Sequence, residues 1–202
     1  MELRRLTEEE LSALYHAEMV YDFPRSELKP LRSMLTMLRA GCYDPLALFE
    51  GEELLGYALL WRSQAGDAVL LDYLAVVRPR RGQGIGSILL REVCGRCPSI
   101  VLEAEAPDSP DETENAVRRR RLAFYARAGA RTLDYDCALF GVHYKCLYLG
   151  EETDDRRLQE LHRRIYTDHL PSKQAGAYVQ LPLREGEEIR IPPEEPEEEE
   201  EP

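Results

Sequence analysis

The stretch that decides the fold is residues 74–87, which read LAVVRPRRGQGIGS. It continues the almost wholly apolar segment 68–77, which predicts a central strand, and it leads into a segment whose apolar residues share one helical face. Three glycines between strand and helix let backbone amides approach a ligand that side chains would exclude. The following helix directs unsatisfied N–H groups and its positive dipole end at the same point. The turn therefore predicts a phosphate or pyrophosphate site, to which Arg78, Arg80 and Arg81 add positive charge.

Other glycine-rich phosphate motifs do not fit this turn. A P-loop needs Gly-Lys-Ser/Thr, which is absent, and a dinucleotide fingerprint needs Gly-x-Gly-x-x-Gly after an early strand, whereas here Gly-x-Gly-x-Gly follows a third strand. Residues Arg81–Gly86 match the pattern Arg/Gln-x-x-Gly-x-Gly/Ala, and the chain thereby resembles the GNAT superfamily of acetyltransferases. A second segment is similar to the family helix that ends in Phe/Leu-Tyr, three residues and Gly-Phe: here Phe124-Tyr125 precedes Gly129-Ala130. The resemblance covers about residues 3–149.

The resemblance implies acetyl-CoA as the acyl donor and assigns roles to particular residues. Its pyrophosphate is expected on the glycine turn and its pantetheine against the backbone of the central strand. Arg121 is a further candidate, for a phosphate of the coenzyme. Tyr125 matches the family tyrosine that gives a proton to the leaving thiolate. The predicted coenzyme-binding residues are thus Leu74, Val76, Arg81, Gly82, Gln83, Gly84, Ile85, Gly86 and Arg121.

Two carboxylates are candidates for the base that deprotonates the acceptor amine. Val101, Glu103 and Glu105 share one face of their predicted strand, so Glu103 is expected to face an open side of the sheet. Asp72 competes with it, since alternation puts Asp72 on the same face of its strand as Leu74. The acids Asp22, Glu27, Asp72 and Glu103, all expected near the acceptor, favour a cationic substrate, and Glu27 and Asp72 are the predicted substrate-binding residues.

Periodicity and caps predict an α/β fold with elements in the order αα-βββ-α-β-α-ββ, followed by one extra C-terminal helix. This order gives a mixed sheet covered by helices, the GNAT acyltransferase fold that the resemblance implies. Thr7 and Glu10 form a capping box for the first helix, and Ser109-Pro110-Asp111-Glu112 predicts a second one. The expected divisions are a catalytic domain over residues 1–150, a helical extension packed on it over 151–184, and an acidic disordered tail over 185–202.

Charge and cysteine content exclude several function classes. The formal net charge is −12, but residues 185–202 hold ten glutamates and one arginine, so the body carries only −3. Nucleic-acid binding is not expected, because it needs a net basic surface. The sequence has no apolar run long enough to span a membrane and no apolar leader, and five cysteines do not form a paired framework. We therefore expect a cytoplasmic protein without a membrane partner, either a monomer or a homodimer.

Two other functions remain open from the sequence. A catalytically silent acyl-CoA-binding regulatory module would keep the glycine turn but would not need Tyr125. A metal or redox protein could use Cys94 and Cys97, but zinc would need a second pair or histidines at ligand spacing, so no metal site is predicted.

One departure from the family concerns the Asn that many relatives carry seven residues before the tyrosine, where this chain has Arg118. Arg118 or Arg121 is the candidate to replace its coenzyme contact.

Overall fold

The computed structural model describes residues 1–25 and 27–193, which form one eight-stranded mixed sheet with helices on both faces. Thr7 caps the first helix, and its side chain and that of Glu10 form the predicted capping box. This helix continues through a π-helical turn, Tyr15–Met19. The helices are α1 (Glu8–Leu14), α2 (Val20–Asp22), α3 (Leu31–Arg39), α4 (Ile85–Arg96), α5 (Glu112–Arg127), α6 (Asp155–His169) and α7 (Ser172–Tyr178).

The strands run in the order β1-β2-β3-β4-β5-β7-β6-β8 across the sheet. Neighbours are antiparallel except β4 and β5, which are parallel. The predicted mixed sheet and α/β class are confirmed, and the apolar segment 68–77 forms the central strand as expected. The strands are β1 (Glu2–Arg5), β2 (Tyr43–Glu50), β3 (Glu53–Arg62), β4 (Val69–Val76), β5 (Ile100–Glu105), β6 (Arg131–Leu139), β7 (Val142–Leu149) and β8 (Val179–Leu183).

The sheet separates two hydrophobic cores. The first core joins the sheet to α1, α3 and α6 and includes Trp61 and Tyr73; the second core joins it to α4 and α5 and includes Leu89 and Tyr125. In the first of these cores, α3 and α6 are amphipathic helices whose apolar stripes face the strands. The candidate site lies where β4 and β5 separate, between the two cores.

The two edge strands were not predicted. In β1 only Leu3 is buried among four residues, so alternation is too short to detect. In β8, Pro182 argues against a strand in sequence terms, but β8 pairs only with β6 and lies at the sheet edge, where proline is tolerated. The segment 151–184 is therefore not wholly helical, since its end extends the sheet.

The structure also differs from the sequence predictions at the start of α5 and in the acidic tail. The N-cap of α5 is Asp111, whose side chain accepts from the Thr113 amide, not Ser109 as predicted. Three residues of the predicted tail bond to Gln180 of β8: the Glu187 side chain and the Glu188 carbonyl accept from it, and the Arg190 amide donates to it. This part of the chain is therefore held against β8. Residues 194–202 of the predicted tail lie outside the described residues, and the division at residue 185 stays a prediction. In the part of the chain that is described, no helix is both long enough and apolar enough to cross a bilayer.

Candidate active site

The central feature of the site is the separation of β4 from β5. The two strands pair only at Leu70 with Val101 and Leu71 with Leu102. Asp72 is the extra residue of a β-bulge, because Leu60 pairs with Leu71 and Leu59 pairs with Tyr73. A bulge bends its strand, so the second half of β4 leaves β5 and exposes backbone groups along a cleft.

The cleft opens into a cavity of about 1110 Å³. One end, the strand end, lies between the second half of β4 and α5. The other, the loop end, is enclosed by residues 23 and 27–30, the start of α3, the β6–β7 turn and the end of α6. The predicted site residues that line the cavity are Asp22, Glu27, Asp72, Leu74, Val76, Arg81, Glu103, Arg121 and Tyr125.

The glycine turn follows Arg81 and forms the start of α4. Gly82 and Gly84 adopt the left-handed region, with φ of 76° and 80°, and Gly84 is the N-cap of the helix. A Cβ at either position would meet no atom within 4 Å, so the space beside the turn is open. The first amides of α4 have no partners within the helix and are available to an anion. Residues 82–86 do not themselves line the cavity.

The two predicted arginines are both tethered. Arg81 donates from Nε to the Val76 carbonyl at 2.9 Å and from Nη2 to Asp22 at 2.6 Å. Arg121 donates to Glu105 at 2.6 Å. About half of the Arg81 side chain remains exposed. These contacts fix both guanidinium groups at the strand end of the cavity, and their coenzyme contacts stay predictions.

Arg118 does not take the place of the family Asn in the cavity wall. Its guanidinium pairs with Glu105 at 2.9 Å and donates to the Ala106 carbonyl, and the side chain is mostly buried. Arg118 therefore holds the end of β5 against α5. Of the two candidates, Arg121 is the one that lines the cavity.

Tyr125 lies in the last turns of α5 and is 7% exposed. Its hydroxyl makes no hydrogen bond with any residue that the structure describes. Burial raises the pKa of Tyr125 to about 12, although the Arg121 charge lowers it in part. The hydroxyl therefore keeps its proton at neutral pH and can donate it to a group bound in the cleft.

Glu103 faces the first core together with Val101, as strand alternation predicted, but this face is not open. Helix α6 covers it: the Tyr166 hydroxyl donates to the Glu103 carboxylate at 2.8 Å, and His162 Nε2 lies 2.7 Å from Oε1. The Cys137 thiol is a further neighbour at 3.7 Å. Glu103 touches the cavity, but its oxygens are occupied by protein donors. Its assignment as the base stays a prediction that these contacts do not favour.

Asp72 does not share a face with Leu74, contrary to the sequence prediction. The bulge interrupts alternation, so Asp72 points to the first core, where it accepts from the Tyr43 hydroxyl at 2.6 Å, while Leu74 packs against the second. Lys29 forms an ion pair with Asp72 at 2.6 Å, and its ammonium lies 4.8 Å from the centroid of the Trp61 ring. Asp72 therefore neutralises a lysine of the loop end.

The expectation of a cationic substrate had rested on four acids. Three of them are compensated: Asp22 by Arg81, Asp72 by Lys29, and Glu103 by His162. Glu27 lines the cavity without an ion pair among the described residues. Any preference for a cation at this site therefore depends on Glu27.

His162 is expected to make stability depend on pH. Burial disfavours its charged form, but hydrogen bonds to Cys146 and Glu103 outweigh burial and raise the pKa of His162 from 6.5 to about 9. Because the folded value is raised, this stabilisation is complete below the unfolded value of 6.5 and is lost as the pH rises through about 9. The stability difference between wild type and His162→Gln should shrink by on the order of 3 kcal/mol between about pH 6 and about pH 10. Urea unfolding at both pH values measures it, and an unchanged difference would mean that His162 is not the titrating group.

Several residues of the site were not assigned a role from the sequence. Tyr166 and His162 belong to the apolar stripe that predicted the last helix, and a histidine on such a stripe was the available signal. Lys29 and Trp61 carry no motif, because they meet only through the fold. Among residues 1–25 and 27–193, no three His, Cys, Asp or Glu side chains are grouped as metal ligands.

The sequence is similar to one family of known proteins. The model of the acetyltransferase (GNAT) family matches residues 3–130. A search of the curated proteins finds no match.

Three solved structures illustrate the similarity. A GNAT-family acetyltransferase from Bacteroides thetaiotaomicron is 18% identical, with a TM-score of 0.68 over 85% of this chain and 100% of its own. The ribosomal-protein-S18-alanine N-acetyltransferase from Escherichia coli is 16% identical, with a TM-score of 0.54 over 76% of this chain and 96% of its own. Spermidine N-acetyltransferase from Vibrio cholerae, in complex with CoA and spermine, is 13% identical, with a TM-score of 0.53 over 73% of this chain and 94% of its own. At these identities the likeness concerns the fold.

Proposed function

The chain belongs to the acetyltransferase (GNAT) family, and we propose that it moves an acetyl group from acetyl-CoA to the nitrogen of a primary amine. The amine is on a small molecule or on a protein. Transfer is direct: the amine, deprotonated by a glutamate base, attacks the thioester carbon, and the C–N bond forms as the C–S bond breaks. The thiolate leaves with a proton from Tyr125, which recovers a proton from the nitrogen as the amide forms.

The observation that carries the proposal is the cleft between β4 and β5. Unpaired backbone of β4 lines one wall, the helix start at Gly84 stands beyond Arg81, and the buried Tyr125 hydroxyl faces the same cavity. An elongated thioester with a pyrophosphate needs these three elements in one place: strand backbone for its amides, helix amides for its phosphates and a proton donor for its sulfur. Solved relatives, including an aminoglycoside 6'-N-acetyltransferase, contain CoA, which supports the same donor here.

The division of the cavity supports an amine acceptor at the loop end. Tyr125 and the strand end suit the donor, which leaves the space bounded by Phe23, Glu27 and Lys29 for the acceptor. Relatives of this fold act on a ribosomal-protein alanine and on spermidine, so their acceptors range from proteins to small polyamines. The carboxylate of Glu27, which has no ion pair in the part of the chain that the structure describes, supports a cationic amine.

The location and partners are also proposals. A cytoplasmic location is supported by the five cysteines, all of which are free thiols. The partners proposed are acetyl-CoA and an amine, with the protein a monomer or a homodimer.

A panel of three amines tests the function. Spermidine, an aminoglycoside and a peptide beginning with alanine are incubated with acetyl-CoA, and release of free CoA is followed. At least one amine is expected to increase CoA release above the rate without acceptor, and mass spectrometry should find that amine acetylated. Coenzyme binding by calorimetry without acetylation of any amine, extended to a wider set of primary amines, would favour a silent acyl-CoA-binding module instead.

A further inference from the structure

One carboxylate in the cavity differs from all the others. Asp22, Asp72 and Glu103 each accept two or more short hydrogen bonds from basic or hydroxyl side chains. Glu27 makes neither an ion pair nor a side-chain hydrogen bond with any residue in 1–25 or 27–193. It is thus the carboxylate of this cavity that can take a proton without first losing a partner.

The backbone of Glu27 is nevertheless held firmly. The Tyr73 hydroxyl donates to the Glu27 carbonyl at 2.8 Å and accepts from the Lys29 amide at 2.9 Å. The Glu27 amide donates to the Pro24 carbonyl at 3.0 Å. Tyr73 lies on β4 directly after the bulge, is nearly buried, and packs edge-on against Phe23. One tyrosine therefore fixes the loop over the strand from which the cleft opens.

The surroundings of Glu27 favour its neutral form more than those of an ordinary surface glutamate. Partial burial raises the pKa of Glu27, the Glu105 charge on β5 raises it further, and Arg121 and Arg118 on α5 lower it in part. Tyr144 on β7 lines the same cavity. A carboxylate in such surroundings binds a proton more strongly than one held by an arginine or a lysine, which suits a general base near neutral pH.

We infer, on the premise of the proposed acetyl transfer, that Glu27 is the general base that takes a proton from the acceptor's ammonium group. The neutral amine then attacks the thioester carbon, and C–N formation accompanies C–S cleavage. Tyr125 protonates the sulfur, and the second proton of the nitrogen returns to Tyr125 through water as the amide forms. Glu27 later releases its proton to solvent, so an ammonium and a thioester become an amide, a thiol and one proton.

Glu27→Gln tests this role, with Glu52→Gln as its matched control in the exposed β2–β3 turn. With the panel amine that wild type acetylates, kcat/KM of wild type should fall as the pH falls through the pKa of Glu27. Glu27→Gln should lose about 100-fold or more in kcat at neutral pH. The difference in kcat between Glu27→Gln and wild type should narrow as the pH approaches the pKa of the amine, because the amine then loses its proton without a base. Glu52→Gln should match wild type throughout.

Other outcomes separate the alternatives. A raised KM for the amine with unchanged kcat would overturn the base role and leave Glu27 as a binding group. Formate should restore part of the activity of Glu27→Ala, because it fills the space with a carboxylate; restoration by formate in Glu103→Ala alone would assign the base to Glu103. Calorimetry of acetyl-CoA binding shows whether each variant is folded.

One readout does not depend on an acceptor. With ¹³C-labelled glutamate, the carboxyl signal that is missing from Glu27→Gln identifies Glu27, and its titration should give a pKa above the ordinary glutamate value. An ordinary value overturns the inference even if no panel amine reacts. An elevated pKa of Glu27 without turnover in wild type would reject the proposed transfer, and with it the role of Glu27 as its base.

Discussion

Gly84→Asp is expected to weaken the binding of acetyl-CoA by about 100-fold. Gly84 caps α4 with φ of 80°, in open space beside the first amides of the helix. An aspartate there places a negative charge where the pyrophosphate is expected. Two like charges about 5 Å apart at an effective dielectric constant of about 20 repel by about 3 kcal/mol, which corresponds to about 100-fold in affinity.

The control for this variant is Gly51→Asp in the β2–β3 turn. Gly51 has φ of 61° and equally open surroundings, so the backbone cost of the substitution is similar at both positions. Gly51→Asp should bind acetyl-CoA like wild type in calorimetry. Equal affinities for Gly84→Asp and Gly51→Asp would mean that the coenzyme phosphates lie elsewhere.

Tyr125→Phe is expected to lower kcat by about 10²–10⁴-fold with little change in acetyl-CoA affinity. Phenylalanine keeps the ring in the second core but removes the hydroxyl, which makes no hydrogen bond within the described residues and so stabilises no other contact. The leaving thiolate then has no proton donor from α5. Steady-state kinetics and calorimetry on the same preparations give both quantities.

Tyr178→Phe is the matched control for Tyr125→Phe. Tyr178 lies outside the main cavity at the end of α7, and its hydroxyl also makes no hydrogen bond among the described residues. Its removal should leave kcat unchanged. If Tyr125→Phe retained wild-type kcat while chemistry limited the rate, the proton would come from water or from another residue.

Much of the fold could be predicted because its signals are local. The capping box at Thr7 and Glu10, the glycine turn before α4 and the apolar run of β4 each depend on residues close in sequence, and each forms as expected. The edge strands β1 and β8 could not be found in this way. Their short, charged or proline-containing segments become strands only because a neighbouring strand is present to pair with them.

The site was less predictable, because long-range contacts determine the state of each carboxylate. Alternation correctly placed Glu103 on the face of Val101, but only the packing of α6 shows that Tyr166 and His162 occupy it. The bulge at Asp72 has no sequence signal and reverses the face expected for that side chain. Glu27 was predicted as a substrate contact, and its lack of a partner among the described residues emerges only from the folded structure.

The most direct test follows the acetyl group itself. Acetyl-CoA labelled with ¹³C in the acetyl group is mixed with the protein and a panel amine, and both acceptor and protein are examined by intact-mass spectrometry. The label is expected on the amine nitrogen, in amounts equal to the CoA released, with the mass of the protein unchanged at every time point. Label that stays in acetyl-CoA across a wide set of amines, although the coenzyme binds, would contradict the proposed acetyl transfer.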